Sequence, residues 1–129
     1  MSFPKPRILC VDDNEDTSMM LGLMLTRAGY EVASAYNVAE TLTLARAEDF
    51  DLYLLDHRLP DGTGMELCHQ LRELAPQTPI VFFSGSAMES ERQRGLEAGA
   101  QACLIKPNDL VKLVATVGQF VGGAGVQVH

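Results

Sequence analysis

Asp12, Asp13, Asp56, Ser84 and Lys106 stand just after short apolar runs, over residues 8–11, 52–55, 80–83 and 103–105. Brought together, they would form an acidic crevice holding one cation. Two carboxylates ~5 Å apart repel by roughly 3 kcal/mol at an effective dielectric of about 20. One Lys cannot neutralise three acids. A hard divalent ion can, and Mg2+ takes one or two carboxylates, several waters and a phosphate. The group therefore suits Mg2+ and, through it, an anion. The turn after the first run carries neither G-x-G-x-x-G nor G-x-x-x-x-G-K-[ST], so the usual nucleotide loops are excluded. A bare phosphate would be repelled by Asp12 and Asp13. A carboxylate can itself be phosphorylated, however. Asp56 stands alone after its run and is the candidate nucleophile, with Asp12 and Asp13 as the metal pair. Ser84 can donate its hydroxyl to one phosphoryl oxygen, and Lys106 can pair with another.

The elements that must position these residues follow from periodicity. The runs at 8–11, 52–55, 80–83 and 103–105 read as strands, and residues 30–35 add another. Being continuously apolar rather than alternating, most of them suit a parallel sheet covered on both faces. Helical patterns lie between them, over about 17–28, up to 47, 65–74, 89–98 and 110–121. Gly29 and Gly99 are placed to end two of these helices. Asn37 with Glu40 reads as a capping-box variant, and Asp109 is placed to cap the last helix. Residues 59–64, Leu-Pro-Asp-Gly-Thr-Gly, read as a loop in which Asp61, Gly62 and Gly64 do turn chemistry. Five strand–helix units predict an α/β fold, a doubly wound five-stranded parallel sheet. Ligands bind beyond the carboxyl ends of such strands, where the five polar residues would converge.

The chain has 129 residues, 47% of them hydrophobic and 21% charged, which suits one globular domain. We expect that domain over residues 1–121 and a frayed Gly-rich tail over 122–129. With 10 basic and 17 acidic residues the net charge is −7. Phosphate backbones need clustered Lys and Arg, so neither nucleic acid nor an anionic membrane is an expected partner. Cys10, Cys68 and Cys103 are odd in number and widely spaced, which is no disulfide framework. A reducing cytoplasm fits them. The first residues carry no apolar signal segment, and the most apolar stretch, 19–25, is far too short to span a bilayer.

The motifs resemble the receiver domain of two-component response regulators, the family of the single-domain chemotaxis regulator. The resemblance covers about residues 7–121. It rests on Val11-Asp12-Asp13, on Asp56 followed by Leu59-Pro60-Asp61-Gly62-x-Gly64, on Ser84-Gly85, and on Ala98-Gly99-Ala100 leading to Lys106-Pro107. It implies a flavodoxin-like sheet of strand order 2-1-3-4-5. Asp56 would accept a phosphoryl group from a His of a histidine kinase or phosphotransfer protein. Asp13, Asp56 and the backbone carbonyl of Arg58 would bind Mg2+, with Asp12 assisting through water. Ser84 and Lys106 would reorganise around the phosphate, the bond before Pro107 would be cis, and the fourth helix, fifth strand and fifth helix would carry the output to a downstream protein. Such a chain is a switch, not a turnover enzyme: it would catalyse only its own phosphorylation and slow dephosphorylation.

Four positions depart from the family pattern. Cys103 stands where an aromatic commonly acts as a rotameric switch, which puts the usual Ser–aromatic coupling in doubt. Arg58 would close over the phosphate or pair with a nearby acid, a solvated side chain being the simpler outcome. Gln101-Ala102 replaces an acidic pair associated with a charged dimer face, and Asn108 replaces a frequent aromatic. Two rivals stay open. One is a haloacid-dehalogenase-like phosphatase with Asp12 as nucleophile. The other is a degenerate receiver that binds partners without phosphorylation.

Other residues read more plainly. His57, His69 and His129 are expected at the surface. In the first helix, with Met20, Leu21, Met24 and Ala28 toward the sheet, Met19, Gly22 and Leu23 point outward. Such a Met-rich face suits the helical pair of a kinase or phosphotransfer domain. The last helix, with Lys112 its single charge, leaves open a weak homodimer or a contact with a further domain.

Overall fold

The computed structural model describes residues 5–85 and 89–121. Five parallel strands, β1 (Arg7–Val11), β2 (Glu31–Ala35), β3 (Leu52–Leu55), β4 (Ile80–Ser84) and β5 (Ala102–Ile105), form one sheet. Its order is β2-β1-β3-β4-β5. The helices are α1 (Glu15–Arg27), α2 (Val38–Ala47), α3 (Gly64–Leu74), α4 (Glu89–Glu97) and α5 (Leu110–Val121). None of these is long and apolar enough to cross a membrane. The expected tail and His129 lie outside the described residues.

The sheet has an apolar layer on each face because alternate residues of each strand point opposite ways. Leu9, Val11, Tyr53, Leu55, Ile80 and Phe82 meet Leu67, Cys68 and Leu71 of α3 on one side. On the other side Ile8, Cys10, Leu52, Leu54, Val81 and Phe83 meet Leu21 and Leu25 of α1 and Leu113 and Val117 of α5. All four residues of β3 are buried. Each such aliphatic side chain contributes about 1.5–3 kcal/mol by leaving water.

Helix ends follow local chemistry. Asn14 accepts the Thr17 N–H at 2.9 Å, which starts α1 at Glu15, two residues earlier than the apolar period suggests. Asn37 accepts from Glu40 N–H at 2.8 Å and starts α2. Gly29 and Gly99 take φ of 105° and 113° after α1 and α4, the left-handed geometry that ends a helix.

Four expectations need correction. The stripe of α1 that meets the sheet is Ser18, Leu21 and Leu25, whereas Met20 is 37% exposed and Ala28 is exposed. At 100° per residue, Met20 stands one position off the axis of that stripe. Residues 59–64 are not plain loop: Arg58–Leu59 and Gly62–Thr63 pair as a small antiparallel ribbon. Asp109 Oδ2 accepts the Ile105 N–H, behind α5, at 2.9 Å, and Oδ1 lies 3.4 Å from Lys112 Nζ within the helix. His57 is buried, its ring stacked on Phe82 with centroids 4.3 Å apart.

Candidate functional site

The sheet ladder runs one residue past three strand ends and thereby fixes the site. Asp12 N–H donates to Ala35 O, Asp56 N–H to Val11 O, and Lys106 N–H to Ser84 O, at 3.1, 3.0 and 2.7 Å. Asp12, Asp56, Ser84 and Lys106 are thus held by main chain at the same edge. One oxygen from each of Asp12, Asp13 and Asp56 lies within 4.8 Å of the others. Asp12 is buried, Asp56 is half-buried and Asp13 is exposed. A cleft of about 450 Å3 opens there, lined by Asp13, Asp56, His57, Arg58, Ser84 and Gly85.

Each oxygen of the two inner carboxylates has a defined partner. Asp12 Oδ1 accepts from Asn14 N–H at 2.9 Å, and Oδ2 lies 2.6 Å from Lys106 Nζ. Asp56 Oδ1 accepts from His57 N–H at 2.7 Å, and Oδ2 lies 3.3 Å from the same Nζ. Burial pushes the Asp56 carboxyl above the ordinary carboxylate range, and Asp12 adds to this. Lys106 and the His57 N–H oppose it without cancelling it. For Lys106, burial alone would lower the ammonium, but its bonds to Asp12 and Asp56 outweigh that and hold it above the ordinary value.

Three carboxylates against one ammonium leave the cleft with uncompensated negative charge. Oxygen donors within 4.8 Å of one another are what a hard divalent cation takes. The chemistry of this donor set therefore fits Mg2+. Ser84 ends β4 and is 3% exposed on the cleft wall. Arg58, on the rim of the cleft, is 85% exposed, with Nη2 3.9 Å from Glu91 of α4. The Lys106–Pro107 peptide is cis. Cys103, in the middle of β5, has its Sγ 3.7 Å from the Arg92 carbonyl. A Cβ on Gly95 of α4 would come within 3.1 Å of that sulfur and of the Phe82 ring.

Several contributors escape local sequence reading. A Cβ on Gly64 would sit 2.2 Å from the Asp56 carbonyl and 2.8 Å from Phe82, so only glycine lets α3 begin so close to Asp56. Asp61 is more than a turn residue, since its carboxylate accepts from Val38 and Ala39 N–H at 2.7 and 3.1 Å. It thereby ties the segment after Asp56 to the start of α2. Arg72 binds the carbonyls of Ala75, Pro76, Thr78 and Gly99 and the Gln101 side chain. Gln101 in turn accepts the Ile80 N–H at 2.7 Å, so its side chain is spent on the sheet edge. A glycine beside an acid signals a turn, but partners 21 to 29 residues away leave no local trace.

Comparison with known proteins agrees with this geometry. The family model for the response regulator receiver domain matches residues 8–118. The response regulator protein PilR of Pseudomonas aeruginosa is 38% identical over 109 residues, 84% of this chain. The chain spans 24% of that regulator's length. The non-phosphorylated HemR receiver domain of Leptospira biflexa superposes with a TM-score of 0.84 at 34% identity, covering 97% of this chain and 99% of that one. The response regulator protein TrrA of Thermotoga maritima, in complex with Mg2+–BeF, gives 0.81 at 25% identity, covering 89% and 98%. Neither the phosphatase nor the degenerate receiver is favoured by these matches. A sheet of order 2-1-3-4-5, an acidic cluster at its carboxyl edge and a family match across nearly the whole chain agree: this chain belongs to the response regulator receiver domain family.

Proposed function

We propose that the chain is a phosphorylatable switch of two-component signalling, with Asp56 as phosphoacceptor and a histidine kinase or histidine phosphotransfer protein as donor. The observation that carries this is the position of Asp56. It stands beyond the central strand β3, at the cleft, with Oδ1 fixed by a backbone amide and Oδ2 beside Lys106.

In this reading an oxygen of Asp56 attacks the phosphorus of a phosphohistidine. The new O–P bond forms as the P–N bond breaks, and the donor imidazole leaves with the electron pair. Mg2+, when bound, offsets the negative charge of the carboxylates and the incoming phosphoryl group. Asp13, Asp56 and the Arg58 carbonyl would hold it, with Asp12 assisting through water. Lys106 leaves Asp56 for a phosphoryl oxygen, and the Ser84 hydroxyl donates to another. The His57 amide keeps Asp56 aimed into the cleft throughout. The chain thus assists its own phosphorylation and a slow self-hydrolysis, without turning over a metabolite.

The donor docks on α1, where Met19, Met20 and Leu23 are 66%, 37% and 64% exposed. Together with Met24, Asp16 and Arg27 they line a shallow groove. A helix face of this kind accepts another helix by apolar contact at a polar rim. The output runs through α4, β5 and α5 to a downstream protein, in the cytoplasm. With Cys103 in place of an aromatic, the packing of Phe82 and Cys103 against Gly95 stands where ring rotation would be.

The test is incubation with acetyl phosphate and Mg2+, followed by borohydride trapping and peptide mass spectrometry. Label on Asp56 is the expected result. Label on Asp12 would turn the reading toward the phosphatase, and no label toward an interaction module.

A further inference from the structure

Phe82, in the middle of β4, touches the site and α4 at once. Its main chain is held in the sheet, opposite Leu55 on one side and Cys103 on the other. A face of its ring carries the His57 imidazole, stacked at 4.3 Å with 9° between the planes. One edge meets α3, where a Cβ on Gly64 would come within 2.8 Å of Cε1. The other edge meets α4, where a Cβ on Gly95 would come within 3.1 Å of Cδ2, of Cε2 and of the Cys103 Sγ. Phe82 is fully buried, so the ring has no solvent side into which to swing.

These neighbours differ in how far they can yield. α3 is fixed at its start by a capping box of Thr63 and Glu66, and it buries Leu67, Cys68 and Leu71. α4 reads Glu-Ser-Glu-Arg-Gln-Arg-Gly-Leu-Glu. Leu96 is its single apolar side chain and is half-buried, while Gly95 is buried. An element with so few buried apolar contacts opens more readily than the rest of the fold. What seats α4 is Gly95, whose missing side chain lets the helix backbone rest on Phe82 and Cys103. On the site side, His57 is tied by main chain: its N–H donates to Asp56 Oδ1 at 2.7 Å, and its carbonyl accepts the Gly64 N–H at 2.8 Å. A carboxylate that turns takes along the peptide that donates to it, and the imidazole with that peptide. Phe82 receives the movement, Gly64 blocks one edge, and Gly95 is left to yield.

We infer that the His57 and Phe82 rings couple the Asp56 carboxylate to the seat of α4, where Cys103 leaves no aromatic ring to turn. His57 is a positioning residue in this device. Its ring keeps Phe82 against Gly95 while Asp56 is unmodified, and a phosphoryl group on Asp56 loosens the seat. The coupling runs both ways, because two sites that bias one equilibrium each feel the other. That Asp56 receives the phosphoryl group rests on the proposed function, whereas the hold of the two rings on α4 can be read without any phosphoryl group.

The test uses the full chain, with Mg2+ and beryllofluoride as the probe, and reads binding affinity together with hydrogen exchange at the Gly95 and Leu96 amides. In the parent the probe should speed exchange at those amides. Gly95→Ala lifts α4 from Phe82, so it should bind the probe about fivefold more tightly. A merely structural role for Gly95 would leave affinity unchanged or weaken it. In a His57→Ala background the gain should vanish, and His57→Phe, which keeps a ring on Phe82, should restore it. Cys103→Ala empties the other half of the seat and should act in the same direction, which covers a Gly95→Ala chain that fails to fold. Without any probe, His57→Ala alone should speed exchange at Gly95 and Leu96, because Phe82 loses the ring behind it. Seat variants that bind no more tightly than the parent overturn the inference. So does a gain that persists without the His57 ring, or α4 exchange that His57→Ala leaves unchanged. A parent that binds no beryllofluoride refutes the phosphoacceptor reading instead, and the probe-free exchange then decides the coupling by itself.

Discussion

The Lys106 ammonium lies 2.6 Å from Asp12 Oδ2, nearer than the 3.3 Å to Asp56. Asp12 is 2% exposed, so this contact is what offsets a buried charge while no phosphoryl group is present. Lys106 therefore has a structural duty that competes with the one proposed for it on the phosphate.

Lys106→Met should expose that duty. It leaves Asp12 buried without its cation, and we expect a loss of about 2–3 kcal/mol in urea unfolding at neutral pH. Mg2+ should recover part of the loss by supplying charge to the same carboxylates. A variant as stable as the parent, with or without Mg2+, would show that Asp12 is compensated elsewhere.

Mg2+ itself should stabilise the chain. At ten times its Kd the gain is about 1.4 kcal/mol, and EDTA should reverse it. Asp13→Asn should remove most of this response at little cost to the metal-free fold, because Asp13 is exposed. The gain should shrink as pH falls. Ligand carboxylates must be ionised to bind metal, and burial holds Asp56 above the ordinary carboxylate range. Unfolding midpoints measured with and without Mg2+ between about pH 7.5 and pH 4.5 check both statements.

Gly64→Ala should be costly out of proportion to one methyl group. The new carbon would lie 2.2 Å from the Asp56 carbonyl, and overpacking of this kind costs about 1–3 kcal/mol. The backbone around Asp56 must shift, so labelling by acetyl phosphate should slow more than stability alone explains. Folded variant at low denaturant, assayed for labelling rate, separates the two effects.

His57 should give the fold an acid-side slope. Burial is the main cause that holds its imidazole below the ordinary 6.5, with Arg58 adding and Glu91 and Asp56 opposing. A base depressed in the folded state contributes stability that is present above its unfolded value and lost as pH falls below it. The loss should begin near pH 6.5 and grow toward the acid. Phe at this position keeps a ring against Phe82 and cannot take a proton. His57→Phe should therefore flatten the stability curve between about pH 6.5 and pH 5. An unchanged slope would assign it to other groups.

Much of the fold and the inner site can be read without coordinates. The apolar runs ending at Asp12, Asp56, Ser84 and Lys106 fix strand identity, because a continuous run of that length suits a strand covered on both faces. The ladder bonds Asp12–Ala35, Asp56–Val11 and Lys106–Ser84 then bring those ends together. The helix start at Asn37 is equally local, being cap chemistry over three residues, whereas the apolar period alone passes over the Asn14 cap and starts α1 two residues late. What periodicity misplaces is the fine rotation of α1. Met20 and Leu21 are equally apolar, and only packing against the sheet buries the second and exposes the first.

The amino-acid sequence by itself determined the strand–helix alternation, the polar strand ends and the match to a receiver domain, because each depends on residue types at short spacing. Tertiary structure decided which groups meet across long separations. It set Lys106 against Asp12, 94 residues away, and spent Asp61 on the start of α2. It also buried His57 on Phe82 and left β2 at the edge of the sheet among the described residues. Those outcomes depend on the closure of the sheet and on competition for buried volume, which no window of neighbouring residues contains.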